Sequence, residues 1–279
     1  MFNHCNPYRY HISKLLTAVF LILPGMLYAS SHIDHSPTKV KRIALLGDSM
    51  TWIGGDSCEN PTGWSHILKN SNIAGEIDVY ARSGATWTNT SNTKIDTSFY
   101  SEVLHDDNVL FNQAIRLIDD QRGIESNDPD YIILFAGAND AWFADKRPGI
   151  YAKDESIQYD SFPSDIKPNE ITSLYGSVAL VCDMLHLHFP ESNLCVVTPL
   201  QMSKVSADKI HETSDIIETA AKSKGCIVLR ADKEVSISHE IESKSPIYTY
   251  DGVHTNPEGA KILGDFILQN LFLVSHKND

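Results

Sequence analysis

The 279 residues carry 42% hydrophobic and 21% charged side chains and a formal charge of −13, enough apolar material for one sizeable core. So acidic a surface repels phosphate backbones and anionic bilayers, which argues against nucleic acid as a partner. The cysteines stand far apart with no CxxC spacing, so no zinc motif is read.

At the N-terminus, Arg9 and Lys14 precede an apolar stretch from Leu15 to Leu27, followed by Tyr28-Ala29-Ser30-Ser31. A positive region, a short apolar region and small residues in that order are the layout of a secretory signal peptide. The pattern predicts a leader over residues 1–29, a short segment over 30–38 and a single domain over 39–279. The apolar stretch is shorter than the roughly 20 residues of a comfortable membrane span. A secreted or periplasmic protein with no stable span after leader removal is therefore expected. Cys5 leaves with the leader, and Cys58, Cys182, Cys195 and Cys226 are expected as buried free thiols.

From Lys39 onward, short apolar runs alternate with helical patterns. Arg42 to Leu46 reads as a first strand ending abruptly in Gly47-Asp48-Ser49, with a short helix starting near Gly63. A second strand is predicted over Ile77–Ala81, a surface loop over 89–98 and a helix over 103–123. Tyr131 to Phe135 is a third strand, ending in Ala136-Gly137-Ala138-Asn139-Asp140. The polar stretch from Phe143 to Pro168 is long for a plain connection, as binding loops often are. Helices are predicted over 169–189, 207–224 and 257–272, and strands over 194–198 and 226–229. Five strands interleaved with helices indicate an α/β domain with a parallel sheet covered on both faces.

The chemistry-bearing residues stand at the strand ends, where open α/β sheets bind ligands. Ser49 ends the first strand, Gly84 follows the second and Asn139 the third; Asp251 and His254 lie just before the last helix. A nucleophilic serine needs a base, and the base needs a carboxylate to fix its tautomer. Asp251 and His254, three residues apart, are suited to that pairing. The tetrahedral intermediate needs preorganised N–H donors, and the Ser49 and Gly84 N–H groups and the Asn139 amide are suitable in kind. Asp48 and Asp140 are read as anchors of their turns. Taken singly, each of these residues is an ordinary turn residue.

Taken together, Gly47-Asp48-Ser49, Gly84, Gly137-x-Asn139-Asp140 and Asp251-x-x-His254 resemble the four blocks of the SGNH, or GDSL-type, hydrolases, across nearly the whole chain from Ile43 onward. The resemblance implies a flavodoxin-like three-layer α/β/α sandwich around a five-stranded parallel sheet. It implies Ser49 as nucleophile, His254 as base and Asp251 as its orienter, with Ser49 N–H, Gly84 N–H and the Asn139 side chain as the oxyanion hole. No cofactor and no metal are implied. The α/β-hydrolase fold is disfavoured, because no G-x-S-x-G elbow surrounds Ser49.

Trp52, Trp87 and Trp142 follow Ser49, Gly84 and Asp140 closely in sequence. They are candidate substrate contacts, able to stack on sugar rings or grip an acyl chain; core packing is the alternative for each. With relatives that deacetylate polysaccharides, this suggests a small-molecule or glycan ester as substrate, most naturally an O-acetylated carbohydrate. A lipase, thioesterase or acyltransferase on the same scaffold, or a non-catalytic carbohydrate-binding protein, are the other readings.

Overall fold

The centre of the sheet forms where the sequence has apolar runs that can be buried on both faces. In the computed structural model, which describes residues 40–98, 105–121, 128–152 and 166–275, β3 (Tyr131–Phe135) is buried along its whole length. It pairs with β1 (Val40–Gly47) on one side and β4 (Asn193–Val197) on the other, while β2 (Ala74–Val79) and β5 (Ile227–Leu229) form the edges. All pairings are parallel and the order is β2-β1-β3-β4-β5. The chain leaves β1 for β2 at one side, then crosses back to β3 at the other, so the topological switch lies between β1 and β3. Gly47 pairs with Phe135 and Phe135 with Val197, so the central strands end level with one another.

Successive side chains of a strand point to opposite faces, and that alternation builds two cores. Ala44, Leu46, Ile132, Leu134 and Val196 pack against α3 (Leu110–Gln121), α5 (Leu174–His188) and α6 (Ala207–Ser223). Ile43, Leu45, Ile133, Phe135 and Val197 face the other way, against Trp64 and Leu68 of α2 (Trp64–Lys69) and Leu263, Ile267 and Leu271 of α9 (Pro257–Ser275). The result is the flavodoxin-like α/β/α sandwich, and the described residues fall within one compact unit, Pro37–Asp279. Among the described residues, no helix is long and apolar enough to cross a membrane. The leader predicted over residues 1–29 and the segment over 30–38 lie outside the described residues, as do 153–165 of the Phe143–Pro168 stretch.

The structure moves several boundaries. Strand β2 begins three residues before its apolar run, because Ala74-Gly75-Glu76 on an exposed edge can pair through the backbone without an alternating pattern. Helix α3 begins at Leu110, since Thr86 takes up the backbone just before it, its N–H donating to the Asn108 carbonyl and its carbonyl accepting from the Leu110 N–H; residues 103–104 and 122–123 of the expected helix lie outside the described residues. Helix α5 begins at Leu174, where the Ser173 hydroxyl caps it by accepting from the Gly176 N–H; a single 3-10 turn over Pro168–Glu170 precedes it. Four short helices carried no legible period: α1 (Ser49–Trp52), α4 (Ala138–Phe143), α7 (Ala231–Glu234) and α8 (His239–Lys244).

Helices α2 and α9 touch at Gly264, where an added Cβ would lie 2.6 Å from the branched Cβ of Ile67. That atom cannot swing aside, so Gly264→Ala must push the helices apart. A loss of about 1–3 kcal/mol in chemical denaturation is expected; an unchanged midpoint would mean the pair is loosely packed.

Candidate active site

Strand β1 runs into Asp48, whose carboxylate caps α1 by accepting from the Met50 N–H at 2.9 Å. Ser49 is thus the first residue of a helix, and its N–H has no acceptor inside that helix. The turn has no room for a side chain at Gly47, where a Cβ would meet the Phe135 carbonyl oxygen at 2.3 Å. It is also clamped from α3. Gln113, wholly buried, accepts from the Gly47 N–H at 2.8 Å and donates to the Gly47 carbonyl at 2.9 Å. The Arg82 N–H donates to the same carbonyl, which ties the end of β2 to the turn.

The loop after β2 is pinned to α4. Asp140, fully buried, accepts from the Trp87 and Thr88 N–H groups at 2.9 Å each and from the Thr88 hydroxyl at 2.8 Å. Beside it, the Asn139 amide donates to the Ala85 carbonyl at 2.9 Å. That bond uses one of the two amide hydrogens and leaves the other for a ligand. Gly84 turns at φ +77°, a conformation that glycine adopts at no steric cost. Gly137, at φ +125°, starts α4 where a Cβ would strike Ile217 and Pro199.

Asp251 and His254 share a loop between α8 and α9. The His254 Nδ1 lies 2.7 Å from one Asp251 carboxylate oxygen, and the other oxygen accepts from the Val253 and His254 N–H groups at 2.9 and 2.8 Å. Since a carboxylate only accepts, Nδ1 carries the proton and Nε2 presents its lone pair. Burial pushes the Asp251 carboxyl up, but the His254 ring and the two N–H groups outweigh it and hold it below its ordinary value. The loop is braced by Glu242, a buried carboxylate that accepts from the Ile247 and Tyr248 N–H groups and the Thr249 hydroxyl. Tyr250 stacks on His254 with ring centroids 5.7 Å apart and planes within 16°.

Electrostatics connects these pieces. Burial, foremost, pushes the Asp48 carboxyl up to about 7; the Asp140 carboxyl adds to the rise, while the Met50 N–H and the charge of His254 oppose it. His254, on a loop distant in sequence, therefore lies within electrostatic reach of the residue adjoining Ser49. Asp140 is also raised by burial, against the bonds from Thr88 and Trp87 and the charge of Arg147. Arg147 donates to the Thr88 hydroxyl at 2.6 Å and lies over the Phe143 ring.

A cavity of about 440 Å³ opens beside Gly84, lined by Thr86, His105, Asn108, Arg147 and other polar residues, with Phe143 as an apolar wall. Of the three tryptophans, Trp52 ends α1 half-buried and Trp142 stands on α4 with 46% of its surface exposed. Trp87 corrects the expectation of a substrate contact. Its ring is wholly buried, and its indole N–H donates to the Ala136 carbonyl at 3.1 Å, so it packs the core. Sequence reasoning missed Gln113 and Tyr250; the first looks like a solvent-facing helical residue until its burial is seen. The four cysteines among the described residues are free and buried.

Comparison with known proteins fits this geometry. The model of the GDSL-like lipase/acylhydrolase family matches residues 43–267. The chain belongs to that family. It is accordingly a hydrolase acting on ester bonds, and the SGNH resemblance read from its motifs is that membership. Its fold is similar to that of a Lactobacillus plantarum protein at 19% identity and a TM-score of 0.54, covering 86% of this chain and 99% of that one. A Bacteroides uniformis protein named as a GDSL-like lipase is similar at 15% identity and 0.51, covering 83% and 95%. One from Bacteroides ovatus with the same name gives 15% and 0.51 over 84% and 99%. The sequence matches no curated protein.

Two variants probe how the turn is held. Gln113→Leu keeps the side-chain volume but strips the Gly47 N–H of its acceptor inside the core, and should cost about 1–3 kcal/mol of stability; denaturant melts measure it. Asp48 has its carboxyl raised on folding, so the folded state resists the deprotonation that the unfolded chain undergoes near pH 4. Its contribution is greatest in acid and is lost as pH rises from about 4 to about 7. Asp48→Asn should therefore lose less stability than the parent over that window, and parallel curves would show that Asp48 does not titrate there.

Proposed function

We propose that Ser49 is the nucleophile of a secreted serine esterase that removes acetyl groups from O-acetylated carbohydrate. In this reading the Ser49 hydroxyl attacks the ester carbonyl while His254 Nε2 takes its proton. Asp251 keeps the ring in the required tautomer and stabilises the imidazolium that forms. The negative charge on the former carbonyl oxygen falls to the Ser49 N–H, the Gly84 N–H and the free Asn139 amide hydrogen. Collapse breaks the bond to the sugar oxygen, which takes the proton from His254 and leaves as a hydroxyl, and water then hydrolyses the acyl-enzyme with the same base.

The observation that carries the catalytic part is the 2.7 Å bond between Asp251 and His254, on a loop whose imidazole acts on Asp48 beside the serine. The substrate class rests on the cavity beside Gly84, where hydroxyls, amides and cations line the wall. Such a wall offers hydrogen bonds to a sugar and little to a long acyl chain, and Trp52 and Trp142 on the flanking helices add faces on which a ring can stack. Export rests on the predicted leader over residues 1–29.

Acetate release from a panel of acetylated glycans tests the reading, with Ser49→Ala as the inactive but folded control. Asn139→Ala should lower kcat by about 10²–10³; an undiminished rate removes that amide from the oxyanion site. Efficient cleavage of long-chain esters with no action on acetyl groups would instead make the chain a lipase.

A further inference from the structure

A second group of reactive side chains lies at the opposite end of the sheet. Helix α5 carries Cys182 and His186 four residues apart, hence on one face, and that face meets Cys226, the residue that leads into β5. The Cys226 sulfur lies 3.7 Å from the His186 Nε2, and Cys182, one turn earlier on the same helix face, is near enough for each thiol to shift the ionisation of the other. The same two segments are joined by a largely buried ion pair, Lys224 to Asp183 at 2.6 Å, which fixes their approach. Ester hydrolysis uses none of these residues.

We propose that Cys182 and Cys226 form a thiol–disulfide pair that reacts with low-molecular-weight disulfides, Cys226 attacking and Cys182 resolving. The Cys182 thiol foremost, and then the His186 ring, hold the Cys226 thiol down at about 6 despite its burial and the nearby Asp183. Thiolates are the attacking form. Cys58 and Cys195 are pushed the other way by burial, which disfavours their thiolates. Cys226 keeps 7% of its surface exposed beside the half-buried His186, whereas Cys182 is closed off and can be reached only by Cys226.

The chemistry balances with the small disulfide as oxidant. The Cys226 thiolate attacks one of its sulfurs, forming a mixed disulfide and releasing one small thiolate. Cys182 gives up its proton and attacks the Cys226 sulfur, displacing the second small thiolate. Two protein thiols are oxidised to one bridge, and one small disulfide is reduced to two thiols, which take up the protons. The bridge ties α5 to β5 across the whole of β4 and α6.

Oxidised glutathione and peptide mapping by mass spectrometry without reduction test this on the full chain. One bridge between Cys182 and Cys226 is expected, with Cys58 and Cys195 still reduced and a melting temperature raised by about 5 °C or more. Cys182→Ser should stop at the mixed disulfide on Cys226, and His186→Gln should slow loss of the Cys226 thiol about fivefold. Equal reactivity of the four cysteines, a glutathione adduct that persists on Cys226 with Cys182 present, or a bridged chain that melts no higher would each overturn the proposal.

Discussion

The arrangement of the site depends on one buried carboxyl, that of Asp140. Its three bonds join the helix that follows β3 to the loop that follows β2, and β1 runs between those two strands in the sheet. The carboxyl links the loop that carries Gly84 to the helix that carries Asn139, on either side of Ser49. The Asn139 bond to Ala85 adds a second tie between the same pieces. In the proposed mechanism, preorganisation of this kind lets the two donors meet a developing charge without rearranging. It costs the burial of an ionisable group, which the surrounding N–H groups and Arg147 offset.

Below the site, the fold does little more than hold strand ends level. The alternation of side-chain direction along β1, β3 and β4 divides the core between two helical layers, and the parallel register brings Gly47 and Phe135 opposite one another. The close approach at Gly47 follows from that register. Gln113 reaches up from α3 to accept from the Gly47 N–H, and joins the Arg82 N–H in donating to the Gly47 carbonyl.

Much of this was legible in the sequence where a pattern repeats. The buried strands announced themselves as apolar runs, and the longer helices as 3.6-residue periods, because each presents several side chains to the same core. Asp251 and His254 were legible from their spacing before a helix cap. Elements of four to six residues such as α1 and α4 are shorter than the pattern that would reveal them. The edge strand β2 was placed late because its first residues pair by backbone alone. Burial of a polar side chain leaves no local trace, which hid Gln113, and the core position of Trp87 was likewise invisible beside its neighbour Gly84.

The buried Asp48 carboxyl has a consequence for how the site takes up protons. Asp140 and His254 both act on Asp48 through space, so the charge that each carries changes the proton affinity of the Asp48 carboxyl. An imidazolium at His254 favours the Asp48 anion, and a charged Asp140 opposes it. The charge at the end of β1 is then set from two other loops of the chain and not by Asp48 alone.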